Sequence, residues 1–507
     1  MPAKRAIVIV GGGTAGWLTA GILAGRLGLA GRDDLTITVV ESPGVPILGV
    51  GEGTWPTIRQ SLQAMGIAEA DFLKAADATF KQGSQFVGWR TGDHVYTHPF
   101  TLPHRFGEVD LATAWQRNPA APFDETVSFQ AALCRHGLTP KTRTSKPYEG
   151  VGNYAYHFDA GKVAGFLRDH CVAHLGVRHV ADDITGCAQG ADGAISALHT
   201  AASGDIAGDL FVDCSGRHGV LIERVFDVPL VNCRDVLFVD KALAVQVPYA
   251  DAESPIASAT LATAQSAGWI WDIGLTTRRG TGYVYASRYA SEDDAIATLD
   301  RYVRGISGRG LPAAPRSIDI NAGYRERFWV ANCVAVGVSS GFVEPLEASS
   351  IAMIEQSANH IAEHLTFDPE AMAIEAGRFN AKFGQIWADA IDFLKLHYVL
   401  SDRLEPFWVD NRAAASIPAS LRENLRVWQN RPPIAGDFPQ SCQLFGPASY
   451  QYILYGMAFG GAGEAAARSC PDDATLRECL AEVQAIAARL TRVLAPNRDA
   501  MELAGLL

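Results

Sequence analysis

Cysteine is scarce and unpatterned in this chain. The 507 residues hold nine, at Cys134, Cys171, Cys187, Cys214, Cys233, Cys333, Cys442, Cys470 and Cys479, with no CxxC. An odd number spread over so long a chain argues against a disulfide framework, and no His/Cys group has the spacing of a zinc site. A reduced, cytoplasmic setting is expected, and no metal is. Charge is also thin. Charged residues make up 19%, and 43 Lys plus Arg against 55 Asp plus Glu leave a net charge of -12. A balance of that sign argues against nucleic acid or an anionic membrane as the main partner. Internal repeats and low-complexity tracts are absent. Long apolar runs are absent too, with one exception: residues 6–25 carry no charge. Their length suits a membrane span or a leader, but Gly11, Gly12, Gly13, Gly16, Gly21 and Gly25 would interrupt such a helix repeatedly.

What is present is a globular composition, 48% hydrophobic with ten Trp, which excludes disorder as the main state. The length suits roughly three units of about 150 residues, or one large α/β fold. Residues 5–10, RAIVIV, read as a buried parallel strand. A loop matching GxGxxG follows at Gly11, Gly13 and Gly16, with Thr14 and Ala15 inside it. Apolar spacing then predicts a helix over 17–29, and residues 35–40 predict a second strand ending at Glu41. In such a unit the first glycine permits the turn, the second admits a pyrophosphate, and the third packs helix on strand. The helix N-terminus faces the phosphates, and Glu41 would accept from ribose hydroxyls. An ordinary glycine-rich βα turn is the plain alternative.

Two later segments repeat the strand-then-glycine theme, at 209–216 and at 331–337, the second ending in Gly337. Three such strand ends in one chain suggest FAD, a long cofactor wrapped by one polypeptide. No second GxGxxG follows a strand, so no built-in NAD(P)H site is expected. Residues 236–239 and 242–247 alternate as strands of an antiparallel sheet roofing a pocket, while helical periodicity marks 351–365 and 476–494. The expectation is therefore an α/β fold. Residues 1–350 form a Rossmann-like, monooxygenase-type FAD domain, with a substrate-side sheet interleaved at about 90–135 and 220–330. Residues 351–507 form a mostly helical substrate-binding region.

One segment is more specific. In Gly268-Trp269-Ile270-Trp271-Asp272-Ile273-Gly274, the two Trp at i and i+2 of a strand share a face. A stacked core pair would explain them, but the segment resembles the WxWxIP signature of flavin-dependent halogenases of the tryptophan halogenase family, with Gly274 in place of proline. Gly11–Trp17, Gly49-Val50-Gly51-Glu52-Gly53-Thr54 (similar to the family's flavin strap), Tyr154–Asp159 and Asp392–Tyr398 extend the resemblance over nearly the whole chain. Phe80-Lys81-Gln82-Gly83 resembles the segment carrying the family's essential lysine. From residue type alone, Lys81 reads as an ordinary surface lysine. Glu347, in Glu344-Pro345-Leu346-Glu347-Ala348-Ser349-Ser350, matches the family's catalytic glutamate, with Glu344 the alternative. The resemblance further implies halide contacts at Ser349 and Ser350, FAD contacts at Gly49, Val50 and Gly337, and a substrate pocket including His98, Phe100, Trp269, Trp271 and Tyr450.

By this resemblance reduced FAD, supplied by a separate NAD(P)H-dependent flavin reductase, forms a hydroperoxide with oxygen. Chloride or bromide attacks it to give hypohalous acid. Lys81 aims that oxidant at an electron-rich arene, and Glu347 polarises it and takes the ring proton. A single-component FAD aromatic monooxygenase and a non-catalytic flavin-binding protein are the competing readings. A homodimer is among the expected assemblies. Members that take free tryptophan hold its backbone with adjacent tyrosines and a nearby acid. Here the matching stretch, Ser449-Tyr450-Gln451-Tyr452-Ile453-Leu454-Tyr455-Gly456, has no adjacent pair, and no acid intervenes before Glu464. Indole, or an indole within something larger, is therefore the expected substrate rather than free tryptophan.

Overall fold

The computed structural model describes residues 4–45, 51–119, 121–438, 444–460 and 471–505. Gly49 and Val50, expected at the flavin, lie outside them, as do Cys442 and Cys470. The seven cysteines described are free, and among the described residues no helix is long and apolar enough to cross a membrane. The apolar stretch near the N-terminus is the strand Arg5–Val10, a glycine loop, and the helix Thr14–Leu27. Leu35–Glu41 pairs parallel to the first strand.

These strands belong to a six-stranded sheet. Leu210–Asp213 and Cys333–Ala335 lie side by side on the other flank of Arg5–Val10, all parallel. The three strand ends read from the sequence are thus neighbours, and the loops leaving them meet. Gly11 has φ 111°, and a Cβ there would lie 2.4 Å from the Cys214 carbonyl oxygen. A Cβ on Gly337 would lie 2.8 Å from that of Ala15. Parallel strands put their carboxyl ends on one edge, so turns 200 residues apart in sequence form a single groove.

A seven-stranded sheet lies beside this unit. Gly268–Gly274 pairs antiparallel with Arg278–Tyr285 and Thr260–Gln265, and Thr260–Gln265 pairs parallel with Gly83–Val87. Val95–Pro99 closes the edge. Residues 90–135, expected within this sheet, contribute only that strand. The rest forms the short helices Leu111–Arg117, Phe123–Val127 and Phe129–Arg135. Asp110 caps the first of these through Thr113 N–H and Ser128 caps the third through Gln130 N–H, local bonds that compete with strand pairing. A three-stranded sheet joins the two units. In it Ala155–Asp159 pairs with Gly51–Gly53 on one side and Thr79–Lys81 on the other. From Ser349 on, the described residues are mostly helical, led by Ser349–Glu363, Pro369–Val399 and Asp473–Val493.

Candidate active site

The glycine groove has the shape of a dinucleotide site. Gly16 packs so closely that a Cβ would meet the Gly11 carbonyl oxygen at 1.8 Å, and one on Gly12 would strike the Glu41 carboxylate. Gly13, by contrast, opens on empty space. It is the N-cap of Thr14–Leu27 and makes no side-chain cap bond, so no side chain of the cap competes for the first-turn N–H groups that a diphosphate would need. Glu41 stands at the tip of its strand with His179 Nε2 3.0 Å away. Gly11, Gly13, Thr14, Ala15, Gly16, Glu41 and Gly337 are therefore gathered at one groove, and the residues present fit FAD.

At the joining sheet the structure departs from the residue-type reading of Lys81. The side chain is fully buried, and its amine has no hydrogen-bond partner. Burial pushes the amine down to about 8, the Glu347 carboxylate pulling the other way. Phe100 lies beneath it, 5.3 Å from Nζ to ring centroid. A Cβ on Gly53 would sit 3.0 Å from Nζ and 3.5 Å from the Ala348 Cβ, so the amine and the Glu347–Ala348 turn flank the same glycine.

Glu347 and Ala348 both hold left-handed backbone, with φ of 64° and 53°. Two such non-glycine residues in a row are costly and persist only where the surroundings enforce them. Trp55 helps to do so, its Nε1–H donating to the Glu347 carbonyl at 2.7 Å. The turn aims the Glu347 carboxylate at His98 Nδ1, 2.7 Å away, and His397 Nε2, 3.3 Å away. Burial alone would push this carboxyl up. The two imidazoles outweigh it and hold it well below the usual carboxylate range. Glu344 lies elsewhere. Its Oε2 accepts from Trp269 Nε1 (2.6 Å) and Tyr398 Oη (2.5 Å), and burial pushes it up to about 7 against those bonds.

Aromatic side chains pack around the two imidazoles, Phe393 against both and Tyr452 against His98. Phe393 stacks on Phe445 at 3.8 Å and meets Tyr450 edge-on at 4.8 Å, while Tyr452 lies 5.8 Å from His98. Trp269 and Trp271 share a face, as their alternation requires, but differ in company. Trp269 is core, against Trp89 and Glu344, whereas Trp271 lies over Gly282 and lines a cavity of about 220 Å³ with Gln246, Arg278 and Arg316. Ser349 is buried and Ser350 exposed in the first turn of Ser349–Glu363, whose N-cap Ala348 offers no side-chain acceptor. Trp55, His397, Phe393 and Phe445 were missed as site residues from sequence. The spacing of Phe393 and His397, four apart on one helix, was the one signal that could have paired them.

Chains of similar sequence and structure are known. The structure of a tryptophan halogenase from Shewanella frigidimarina superposes with a TM-score of 0.94 at 41% identity, covering 99% of this chain and 98% of that one. BrvH, a flavin-dependent halogenase from Brevundimonas sp. BAL3, gives 0.87 at 34% identity over 100% of both. Tryptophan 6-halogenase SttH of Streptomyces toxytricini is 35% identical over 89% of this chain and 88% of its own. Fold and groove together define a flavin-dependent halogenase, an enzyme of the oxidoreductase class. The model of the Trp_halogenase family, tryptophan halogenase, matches residues 6–469, and this chain belongs to that family.

Proposed function

We propose that the enzyme uses reduced FAD and oxygen to oxidise chloride or bromide, and that Lys81 and Glu347 transfer the halogen to an indole lacking a free amino-acid group. The observation that carries this is the buried, unpartnered Lys81 amine beside the carboxylate held by His98 and His397. Gly11, Gly13, Thr14, Ala15, Gly16, Glu41 and Gly337 would hold FAD, and Ser349 and Ser350 would hold the halide with first-turn N–H and hydroxyl donors. Bound FAD supplies the two-electron oxidation that turns halide into hypohalous acid. At Lys81 the amine lone pair takes the halogen, and the hydroxyl group leaves with a proton as water. An amine held near 8 presents that lone pair at neutral pH more often than an exposed lysine. The ring then takes the halogen and the N–X electron pair returns to nitrogen, Glu347 accepts the proton the ring loses, and the nitrogen takes up one proton in exchange to restore the amine. The experiment is product analysis of indole reacted with bromide, enzyme, FAD and a supplied reductase. Halogenated indole supports the reading; an oxygenated product would favour a monooxygenase.

Electron supply gives one expected result. NADH alone should reduce the bound FAD slowly, and a separate flavin reductase should restore turnover, because no second GxGxxG follows a strand. Rapid stopped-flow reduction by NAD(P)H without a partner would overturn this.

Substrate choice gives another. Tyr450 is packed among Phe393, Phe438 and Trp428, Tyr452 Oη donates to the Thr101 carbonyl, and the helix Pro447–Gly456 carries no acid. An ammonium and a carboxylate leaving water need matched partners. Free indole should therefore outperform free tryptophan, with C3, the most electron-rich carbon, as the main site and bromide preferred over chloride. Mass spectrometry and NMR of the products decide it. Clean benzo-ring chlorination of free tryptophan would be falsifying.

A further inference from the structure

A second constellation lies away from the groove, where the C-terminal end of Ser349–Glu363 meets side chains of Pro369–Val399. His360 and His364 are one turn apart, their rings stacked at 4.2 Å and 24°. Glu375 reaches across from the other helix, its Oε2 3.4 Å from His364 Nδ1. One ligating atom from each of the three lies within 4.8 Å of the others. His360 Nε2 and Glu375 Oε2 are buried without a hydrogen-bond partner. Two orphaned acceptor-capable atoms in one small cluster are costly unless something fills the gap between them.

The neighbours orient the set. Arg378 Nη1 donates to Glu375 Oε1 at 2.6 Å, fixing the carboxylate with Oε2 free. Phe379 meets the His360 ring edge-on at 5.2 Å and holds its plane. His364 is exposed and leaves a path to solvent. Lys382 works against a cation, with Nζ 3.5 Å from His360 Nδ1.

We propose that His360, His364 and Glu375 bind one first-row divalent cation, with Zn²⁺ the best match. Two imidazoles and a carboxylate suit Zn²⁺ and disfavour Mg²⁺ or Ca²⁺, which take oxygen ligands. Tetrahedral bonds of about 2.05 Å put ligand atoms about 3.3 Å apart. The His364–Glu375 pair already has that separation, and the third ligand atom, within 4.8 Å of both, needs a closure of at most about 1.5 Å. Ligation at His360 Nε2 leaves the ring proton on Nδ1, so Lys382 turns its flexible stem toward water. The fourth position stays open to water.

The test is titration of the chelator-stripped, full-length chain with Zn²⁺ by calorimetry and with Co²⁺ by visible absorption. Wild type should take one ion per chain, with the intense bands of tetrahedral Co²⁺. His364→Ala, at an exposed position, and Glu375→Gln should each weaken binding by about tenfold or more. Lys382→Gln should tighten it, because an opposing charge is gone. FAD content and halogenated product, read in parallel, should be unchanged in His364→Ala. No binding at about 100 μM metal, where even a site worth about -5.5 kcal/mol would be half filled, overturns the proposal. So does binding that neither His364→Ala nor Glu375→Gln alters.

Discussion

Lys81→Met should abolish halogenation and at the same time make the resting protein more stable. The two effects share one cause. The wild-type amine is buried with no partner, an arrangement that costs a fold about 1–3 kcal/mol. Methionine keeps most of the volume and removes the polar group, so that penalty is relieved. In the proposed mechanism the same amine places the halogen against the ring, and positioning of this kind is worth several orders of magnitude. Halogenated product should therefore fall by at least about 10³-fold in Lys81→Met and in Lys81→Ala, with FAD content unchanged. Wild-type halogenation should rise with pH, with its half-rise near 8, where burial has brought the amine. Stability follows the same group. An unfolded lysine keeps its proton up to about 10.4, whereas the folded one releases it near 8. Between those values the unfolded chain binds more protons, so wild type gains stability with rising pH and Lys81→Met does not. Normal product yield from either variant would sink the assignment of Lys81. A lower melting temperature for Lys81→Met would mean that the amine has a partner in solution.

The groove was legible because its information is local. Strand, glycine loop, helix and second strand occupy residues 5–41, and each residue type there answers to a short-range rule. The alternation in Trp269-Ile270-Trp271 was legible for the same reason. The burial of Lys81 was not. The strand Thr79–Lys81 is covered through its pairing with Ala155–Asp159, residues far along the chain whose approach no local pattern announces. Nor was the setting of Glu347. His98 comes from 249 residues upstream, Trp55 from 292 upstream and His397 from 50 downstream. The choice between Glu347 and Glu344 had rested on resemblance alone, since both acids flank the same Pro-Leu. The fold separates them through backbone conformation, because the left-handed turn at Glu347 and Ala348 sends one carboxylate to the histidines and leaves the other against Trp269.

Glu347→Gln carries the second large effect, and that separation makes it interpretable. The substitution keeps the shape, and the remaining amide oxygen can still accept from His98. What it removes is the capacity to take a proton from the ring after the halogen has bonded. A positioned base contributes about 10²–10⁴-fold, so the rate of product formation should fall by about 10²-fold or more. Glu344→Gln is the matched control. Its Oε2 is engaged by both Trp269 and Tyr398, so it serves as an anchor and not as the base for the ring. That variant should keep most of its rate per folded molecule, since the amide oxygen can take the place of Oε2 and accept from both Tyr398 and Trp269. If Glu347→Gln stays within a few-fold of wild type, the ring proton leaves by another route. If Glu344→Gln shows the larger loss in rate, the roles of the two acids are exchanged. A loss in both variants that tracks only their folded fraction would leave no carboxylate in the chemical step, and Lys81 would then have to act without a base.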